Sequence, residues 1–490
     1  MKEVNKEPFI HLFSCSTGYY LYDVNTDSIL KVTPDTYQRL EKRENIEENE
    51  QIRKLKKYGY LKTSHVQISE HPVTKLLPSL YENRIGNLTL QVTQQCNLRC
   101  DYCVYSGKYY TRTHSNKRMS FEMAKKGLDF LLSHSSACEE LRVGFYGGEP
   151  LLEFELIKRC VEYMETQTKD KAIHYQITTN GTLLKGEILT YLIEKKFEIT
   201  ISFDGPKEIH DRYRKFAGSD KGSYDTVMQN ARYIKEHYHN FFISNVTFNT
   251  VISPEESYSC IGNYFKGEEL FQDAVFTSGL VKDEGKKEKN TVSDRFSEEY
   301  QYEYFKLLMS KLGKIRKENT SVLGREQVEF LKMLRGGKQQ DEDIELPKKW
   351  HHGGPCIPGI RSLFVTVEGD LYPCEKVCEN VELARMGNIN SGIDIQKASQ
   401  ILNIEDITSG QCKDCWAYRY CDFCIRYAEK EKEELKTCLL RNCADMRKKI
   451  EHVFKDYCVL RELGYDFETD SLRKGTENGR KNGTLDASGG

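Results

Sequence analysis

The 490-residue sequence has no apolar run that approaches a membrane span. It also lacks a charge excess of either sign, with 72 Lys and Arg against 74 Asp and Glu and a net charge of −2. That balance provides no basic field for nucleic acid or an anionic membrane, so neither partner is expected. The first residues, Met1 to Glu7, carry no signal-peptide apolar core. No internal repeat is present. What the chain does have is cysteine, 17 residues of it. Without an export signal, that many thiols favour metal and redox use over a disulfide framework. The expected location is therefore the reducing cytoplasm. The length allows two or three domains and a large core.

Three of the cysteines stand in one short stretch, Cys96-Asn97-Leu98-Arg99-Cys100-Asp101-Tyr102-Cys103, spaced C-x3-C-x2-C. It follows the alternating run Leu88 to Val92. Three thiolates on a loop at a strand end can hold three irons of a cubane cluster and leave the fourth iron open. A zinc knuckle is the other reading of the same spacing.

Further segments repeat the pattern of a strand, a polar end and a helix. Gly147-Gly148-Glu149-Pro150 follows the strand Leu141 to Tyr146, and Thr178 to Thr182 follows His174 to Ile177. Ser202-Phe203-Asp204-Gly205-Pro206 follows Glu198 to Ile201, and Thr247 to Ile252 forms the next strand. Helical stretches lie between them at Ser120–Ser133, Leu151–Thr166, Leu184–Lys196 and Tyr224–Tyr238. This alternation predicts an α/β protein, a partial (β/α)6 TIM-like barrel with its site at the strand C-termini.

Over Leu88 to Val281 these motifs resemble the radical S-adenosylmethionine (SAM) family. The resemblance implies a [4Fe-4S] cluster on Cys96, Cys100 and Cys103, whose open iron chelates SAM. It implies that Gly147, Gly148 and Glu149 meet the methionine amino group and that Ser202 and Asp204 contact the ribose. Thr179 and Asn180 would neighbour the cofactor, and Tyr102 would pack near adenine. An ammonium needs acceptors and a diol suits a carboxylate or hydroxyl, so the chemistry agrees.

A second cysteine field begins at Cys356. It continues through Gly369-Asp370-Leu371-Tyr372-Pro373-Cys374 to Cys378. Cys412, Cys415, Cys421 and Cys424 follow, spaced C-x2-C-x5-C-x2-C, and then Cys438 and Cys443 on a charged helical stretch. Taken alone, paired C-x2-C units suit zinc as well as iron–sulfur. Behind the barrel, the region resembles the SPASM extension, with two auxiliary [4Fe-4S] clusters and three in all. The last C-x2-C is one residue shorter than the family's element. The resemblance assigns Cys356, Cys374 and Cys424 to the first auxiliary cluster, and Cys412, Cys415, Cys421 and Cys443 to the second. Cys378 either completes the first or leaves an iron for a substrate thiolate, and Cys438 competes with Cys443. The isolated Cys15, Cys138, Cys160, Cys260 and Cys458 are expected to be small buried hydrophobes.

Residues 8–70 read as strands at Phe9–Phe13, Tyr19–Val24 and Ile29–Val32, then helices at Pro34–Lys42 and Glu50–Tyr58, with Thr33 as N-cap. Their pattern resembles the winged-helix recognition element of peptide-modifying enzymes, which binds a leader peptide as an added strand. A plain N-terminal cap is the alternative. The barrel is expected over 84–281, a helical bridge over 282–350 with helices at Ser293–Arg316 and Thr320–Arg335, the SPASM region over 351–450, and a disordered tail at 471–490.

The whole then resembles a ribosomal-peptide maturase of the sactipeptide and ranthipeptide type. It would use a 5′-deoxyadenosyl radical to take hydrogen from a precursor peptide and form a sulfur-to-carbon thioether. Expected partners are a precursor with a leader and a reductant such as flavodoxin or ferredoxin. The alternatives are a sulfatase-maturase-type oxidase, a carbon–carbon crosslinker, or a non-catalytic metal-binding scaffold. No general acid or base is assigned.

Overall fold

The computed structural model describes residues 7–472 apart from 169, 284, 325–330, 332–345, 353, 355, 409, 430 and 431. The expected tail beyond Leu472, and most of the expected helix Thr320–Arg335, fall outside the described residues.

The chain opens with an antiparallel sheet of β1 (Ile10–Cys15), β2 (Gly18–Asp23) and β3 (Ser28–Val32), in that order. Helices Pro34–Lys42 and Glu50–Lys57 follow. The Thr33 hydroxyl accepts the Thr36 N–H at 3.2 Å, and the Asn49 side-chain oxygen Oδ1 accepts that of Ile52 at 2.8 Å. Each capping bond satisfies an orphan donor and stabilises its helix by about 1 kcal/mol. One sheet face closes on these helices through Leu21, Val32, Leu40, Ile52 and Leu55. A short strand, β4 (Ile68–Ser69), comes next.

Six parallel strands then make the main body, neighbours in chain order. They are β5 (Asn87–Thr93), β6 (Glu140–Gly147), β7 (Ala172–Thr179), β8 (Glu198–Ser202), β9 (Val246–Ile252) and β10 (Val275–Leu280). Helices Phe121–Ser133, Phe154–Gln167, Gly186–Glu194, Tyr224–His237 and Tyr258–Gly267 connect them. The result is a partial (β/α)6 barrel. Period-two alternation sorts the side chains. Leu88, Leu90, Val143, Phe145, Ile177, Ile199, Ile201 and Phe248 are fully buried against the helices. Each such residue contributes roughly 1.5–3 kcal/mol. The opposite face lines a lumen with Thr89, Tyr146, Gln176, Thr178, Thr200 and Thr247.

After the barrel, helix Asp294–Lys311 leads to β11 (Lys349–Trp350), which pairs in parallel with β4. β12 (Leu363–Val365) adds in parallel beside β5, and β13 (Asp370–Tyr372) returns antiparallel to it. The second cysteine field is therefore grafted onto the barrel's own sheet. Its last helix, Cys443–Glu462, packs against the free face of the N-terminal sheet. Phe9, Phe13, Tyr20 and Tyr22 form one cluster there with Tyr418, Ile450 and Phe454. His11 stacks on Trp416 at 3.7 Å, and Arg419 donates to the carbonyls of Val24 and Asn25 at 2.7 and 3.0 Å. Among the described residues, no helix is long and apolar enough to cross a membrane.

Of the five isolated thiols, Cys160 and Cys458 are buried, and Cys15 and Cys138 are half-buried. Cys260 is exposed, contrary to expectation. It sits in the first turn of helix Tyr258–Gly267, which buries Tyr258, Ile261 and Phe265 on its other face.

Candidate functional site

The loop carrying Cys96, Cys100 and Cys103 leaves the C-terminal end of β5. It is zipped along a second segment by backbone bonds. Arg99 N–H donates to Lys215 O at 2.8 Å, Asp101 N–H to Tyr213 O at 3.1 Å, and Ala217 N–H to Asn97 O at 2.9 Å. The sulfurs sit as acceptors. Leu98 N–H points at Cys96 Sγ at 3.3 Å and Tyr105 N–H at Cys103 Sγ at 3.4 Å. With no metal beside them, burial pushes the thiols of Cys96 and Cys100 up to about 12. Coordination would deprotonate them outright. Among the described residues no three such ligands converge on a single ion. A cubane hands each thiolate a different iron, whereas a zinc ion would gather them at one centre.

Gly147 and Gly148 are explained by this loop. A Cβ on Gly147 would lie 2.1 Å from Thr93 O, and one on Gly148 2.1 Å from Gln95 O. Gly147 also has φ +145°. The glycines let the end of β6 lie directly under the cysteine loop, where Gly148 N–H donates to Thr93 O and Glu149 N–H to Gln95 O, both at 2.9 Å. The Glu149 carboxylate is fully buried and accepts from Thr179 Oγ1 (2.7 Å), Asn180 N–H (2.7 Å) and Leu151 N–H (3.1 Å). Burial raises its pKa to about 7 against these three donors. Glu149 thus ties the end of β6 to the end of β7. Asn180 Nδ2 in turn donates to Asn97 Oδ1 at 2.7 Å and faces Cys96 Sγ at 3.7 Å.

Asp204 is similarly engaged. Arg214 Nε donates to its Oδ2 at 2.7 Å and Nη2 to Oδ1 at 3.3 Å, Val251 N–H donates to Oδ1 at 3.1 Å, and Tyr102 donates its hydroxyl proton to Oδ2. Both Asp204 and Arg214 are buried. The Arg214 guanidinium lies 5.5 Å over the Tyr102 ring, and its charge counters burial at the Cys100 thiol. Below, the Asp204 N–H donates to His210 Nδ1 at 3.3 Å, and His210 Nε2 meets Ser223 Oγ at 3.0 Å. Ser202 ends β8 half-buried on the lumen face.

The second field divides by proximity. Cys374 feels the charge of Cys424, and Cys424 that of Cys356. Separately, Cys412 feels Cys443 and Cys415, Cys421 feels Cys415 and Cys412, and Cys443 feels Cys415. Burial raises the thiols of Cys374, Cys378, Cys421 and Cys424, as it does those of Cys96 and Cys103, and in each a backbone N–H two residues on partly offsets it. Cys378 is buried and faces Arg112 and Glu379. Cys438 is buried on helix Lys432–Arg441, before the Cys443 turn.

The lumen holds a cavity of about 760 Å³. Thr89, Tyr146, Gln176, Thr178 and Thr200 line it from the barrel. Cys356, Cys374, Glu375 and Cys424 line it from the second field.

The radical SAM superfamily model matches residues 90–266. An uncharacterized protein of Methanocaldococcus jannaschii is 31% identical over 229 residues, 46% of this chain and 71% of that protein. The chain belongs to the radical SAM superfamily. A cysteine-type anaerobic sulfatase-maturating enzyme of Clostridium perfringens is 25% identical over 391 residues, 73% of this chain and 93% of that enzyme. The solved structure of native anSMEcpe with bound AdoMet and Cp18Cys peptide aligns with a TM-score of 0.55 at 21% identity, covering 77% of this chain and 99% of that one. This radical SAM enzyme also holds residues that sequence reasoning missed. Arg214, Arg112, Glu379 and Gln91 are brought to the site by tertiary contact, and no local spacing announces them.

Proposed function

We propose that this radical SAM enzyme is a peptide maturase that takes a hydrogen atom from a carbon of a ribosomally made precursor and joins a cysteine sulfur to that carbon. The observation that carries the reading is the shared cavity. A peptide in the lumen would touch the barrel's polar face and the wall bearing Cys356, Cys374 and Cys424 at once. When bound, the [4Fe-4S] cluster and SAM supply methionine and a 5′-deoxyadenosyl radical. Cys96, Cys100 and Cys103 would hold that cluster. The end of β6 at Gly147 and Gly148, steadied by Glu149, Thr179 and Asn180, would form the floor beside it. Ser202 remains on the lumen face to meet a ribose hydroxyl, while Asp204 would act through Arg214 and Tyr102. Cys356, Cys374 and Cys424 would hold one auxiliary cluster, and Cys412, Cys415, Cys421 and Cys443 a second. A substrate filling the lumen would keep water from a radical.

In the net reaction the peptide loses two hydrogen atoms, one from carbon and one from the thiol, and gains a carbon–sulfur bond. One electron must leave the product radical, and a cluster held by Cys356, Cys374 and Cys424 on the lumen wall would accept it. A leader peptide would add to an edge of the N-terminal sheet, whose edges are β1 and β3. A reductant such as flavodoxin or ferredoxin would supply the first electron.

The second reading, a sulfatase-maturase-type oxidase, is favoured by the 93% coverage of the C. perfringens enzyme. One anaerobic assay separates them. Loss of two hydrogens from a cysteine-containing precursor, with all sulfur retained and no free thiol, supports the thioether. Conversion of cysteine to an aldehyde with loss of sulfur overturns it in favour of the second reading.

A further inference from the structure

β10 is the free edge of the barrel. At the other end of the barrel β5 is covered by β12, whereas β10 has a sheet neighbour only in β9. The two strands run in register from Val275 beside Thr247 to Leu280 beside Ile252, with no bulge. Bonding to a parallel neighbour alternates along a strand. Val281 N–H donates to Ile252 O at 2.9 Å. By alternation Val275, Thr277 and Gly279 also turn their backbone groups to β9, and those of Phe276, Ser278 and Leu280 point outward. Among the described residues no backbone group meets these three. Phe276 packs on Phe248 and Phe271, and Ser278, on the same face, donates from Oγ to Leu323 O at 2.7 Å. The lumen face carries Val275, Thr277 and Gly279, all exposed. Natural sheet edges are blunted by charge, proline, a bulge or a covering element. Val275–Leu280 has neither charge nor proline, and its two aliphatic ends, Val275 and Leu280, are 51% and 38% exposed.

This edge leads into the site at both ends. Thr247, the neighbour of Val275, lines the lumen cavity. Thr277 Oγ1 donates to Asn249 Oδ1 at 3.0 Å, and Asn249 lies beside Ser202 at the end of β8. Beyond Leu280 the chain is zipped to the loop that follows Cys103. Tyr110 N–H donates to Gly285 O at 2.8 Å, and Lys287 N–H to Lys108 O at 2.9 Å.

We propose that β10 is the docking edge for the substrate segment of the precursor, which adds to it as an extended strand. Its backbone bonds the outward N–H and C=O groups of Phe276, Ser278 and Leu280, and its alternate side chains turn into the lumen. The inference rests on the reading of the enzyme as a peptide maturase. Strand addition takes affinity from the main chain and selectivity from alternate side chains. An uncharged edge selects no charge, so selection falls to the side chains that enter the lumen. The precursor is favoured over a second copy of this chain because the edge is continuous with the cavity at one end and with the cysteine loop at the other.

The test is residue-resolved amide hydrogen exchange on the full-length, cluster-loaded enzyme, with and without a cysteine-containing precursor. Saturating precursor should slow exchange at Phe276, Ser278 and Leu280 at least tenfold. It should leave Val275, Thr277 and Gly279 as they were, because those amides already bond to β9. Leu280→Pro removes one outward donor and no bond to β9, a place where an edge strand admits proline. With iron content retained, this variant should raise KM for the precursor at least tenfold. Thioether formation without slowing at the three outward amides overturns the proposal, as does an unchanged KM in the iron-loaded variant. Slowing that needs no precursor and grows with enzyme concentration, alongside a dimer in sedimentation, gives the edge to a second copy and overturns it too. Failure of the underlying reading looks different. The precursor would still slow the three amides, but its cysteine would leave as an aldehyde with loss of sulfur.

Discussion

The two cysteine fields solve the same problem in opposite ways. The first puts three sulfurs within eight residues on one loop, and the barrel supplies everything around them. Its loop is held by backbone bonds to residues 213–217, by glycines that admit the end of β6, and by the buried Asp204–Arg214 pair. The second spreads its sulfurs from Cys356 to Cys443 over short 3-10 turns, and tertiary contact sorts them into two groups. A compact motif can therefore be rigid because its support is remote, and a dispersed one can be specific because its pieces are grafted on an existing sheet.

The largest expected effect tests whether the first field alone generates the radical. Replacing Cys96, Cys100 and Cys103 by Ala should remove about four of about twelve irons and abolish 5′-deoxyadenosine formation. Replacing Cys412 and Cys415 should leave that cleavage running. Zinc in place of iron, or cleavage persisting in the triple variant, would invert the comparison.

Next is Asp204→Ala. It leaves Arg214 buried without its carboxylate, at a cost of about 3–5 kcal/mol. Because Tyr102 and Arg214 both lean on Asp204, iron at the first field should fall while the second field stays loaded. Iron content and SAM affinity, measured together, decide it. Weakened binding with iron intact would return Asp204 to the ribose.

The first field should also be acid-sensitive at His210, whose pKa is lowered to about 4, chiefly by burial, as burial also lowers His351 and His352 in the second. The folded state holds this ring neutral. Its contribution is full above the unfolded value of about 6.5 and is lost as pH falls toward 4, about 3 kcal/mol across the window. Denaturation at a series of pH values should show a shallower acid loss in His210→Gln. Equal slopes would remove His210 from the account.

The smallest effect is steric. Gly148→Ala forces a methyl onto Gln95 O and should cost roughly 1–3 kcal/mol. Gly279→Ala, which meets nothing within 4 Å, should be near neutral by the same thermal melt. Equal losses would mean that the fit of β6 under the cysteine loop is not tight.

Much of the barrel was legible because its signals are local. Each strand alternates with period two, each ends in a polar turn, and Thr33 and Asn49 cap their helices as such residues should. The alternation held more than a strand count. Parallel sheets are usually apolar on both faces, and the polar positions Thr89, Gln176, Thr178 and Thr200 mark the lumen. What stayed hidden depends on contacts between distant segments. Nothing in the sequence pairs Asp204 with Arg214, and Arg112 finds Glu379 267 residues away. The exposure of Cys260 was hidden for a similar reason, since only the packing of its helix says which face is outward.

The docking of the N-terminal sheet on helix Cys443–Glu462 bears on how the protein is made. The barrel strands are synthesised in order and lie next to their chain neighbours, so they can assemble as they emerge. One face of the first sheet closes at once on the two helices that follow it, but the other meets Ile450 and Phe454 only more than 400 residues later. Until then Phe13 and Tyr22 have no lid, and the turn bearing Cys443 has nothing to brace it. The group of Cys412, Cys415, Cys421 and Cys443 therefore gains its final support only when helix Cys443–Glu462 docks on the first sheet.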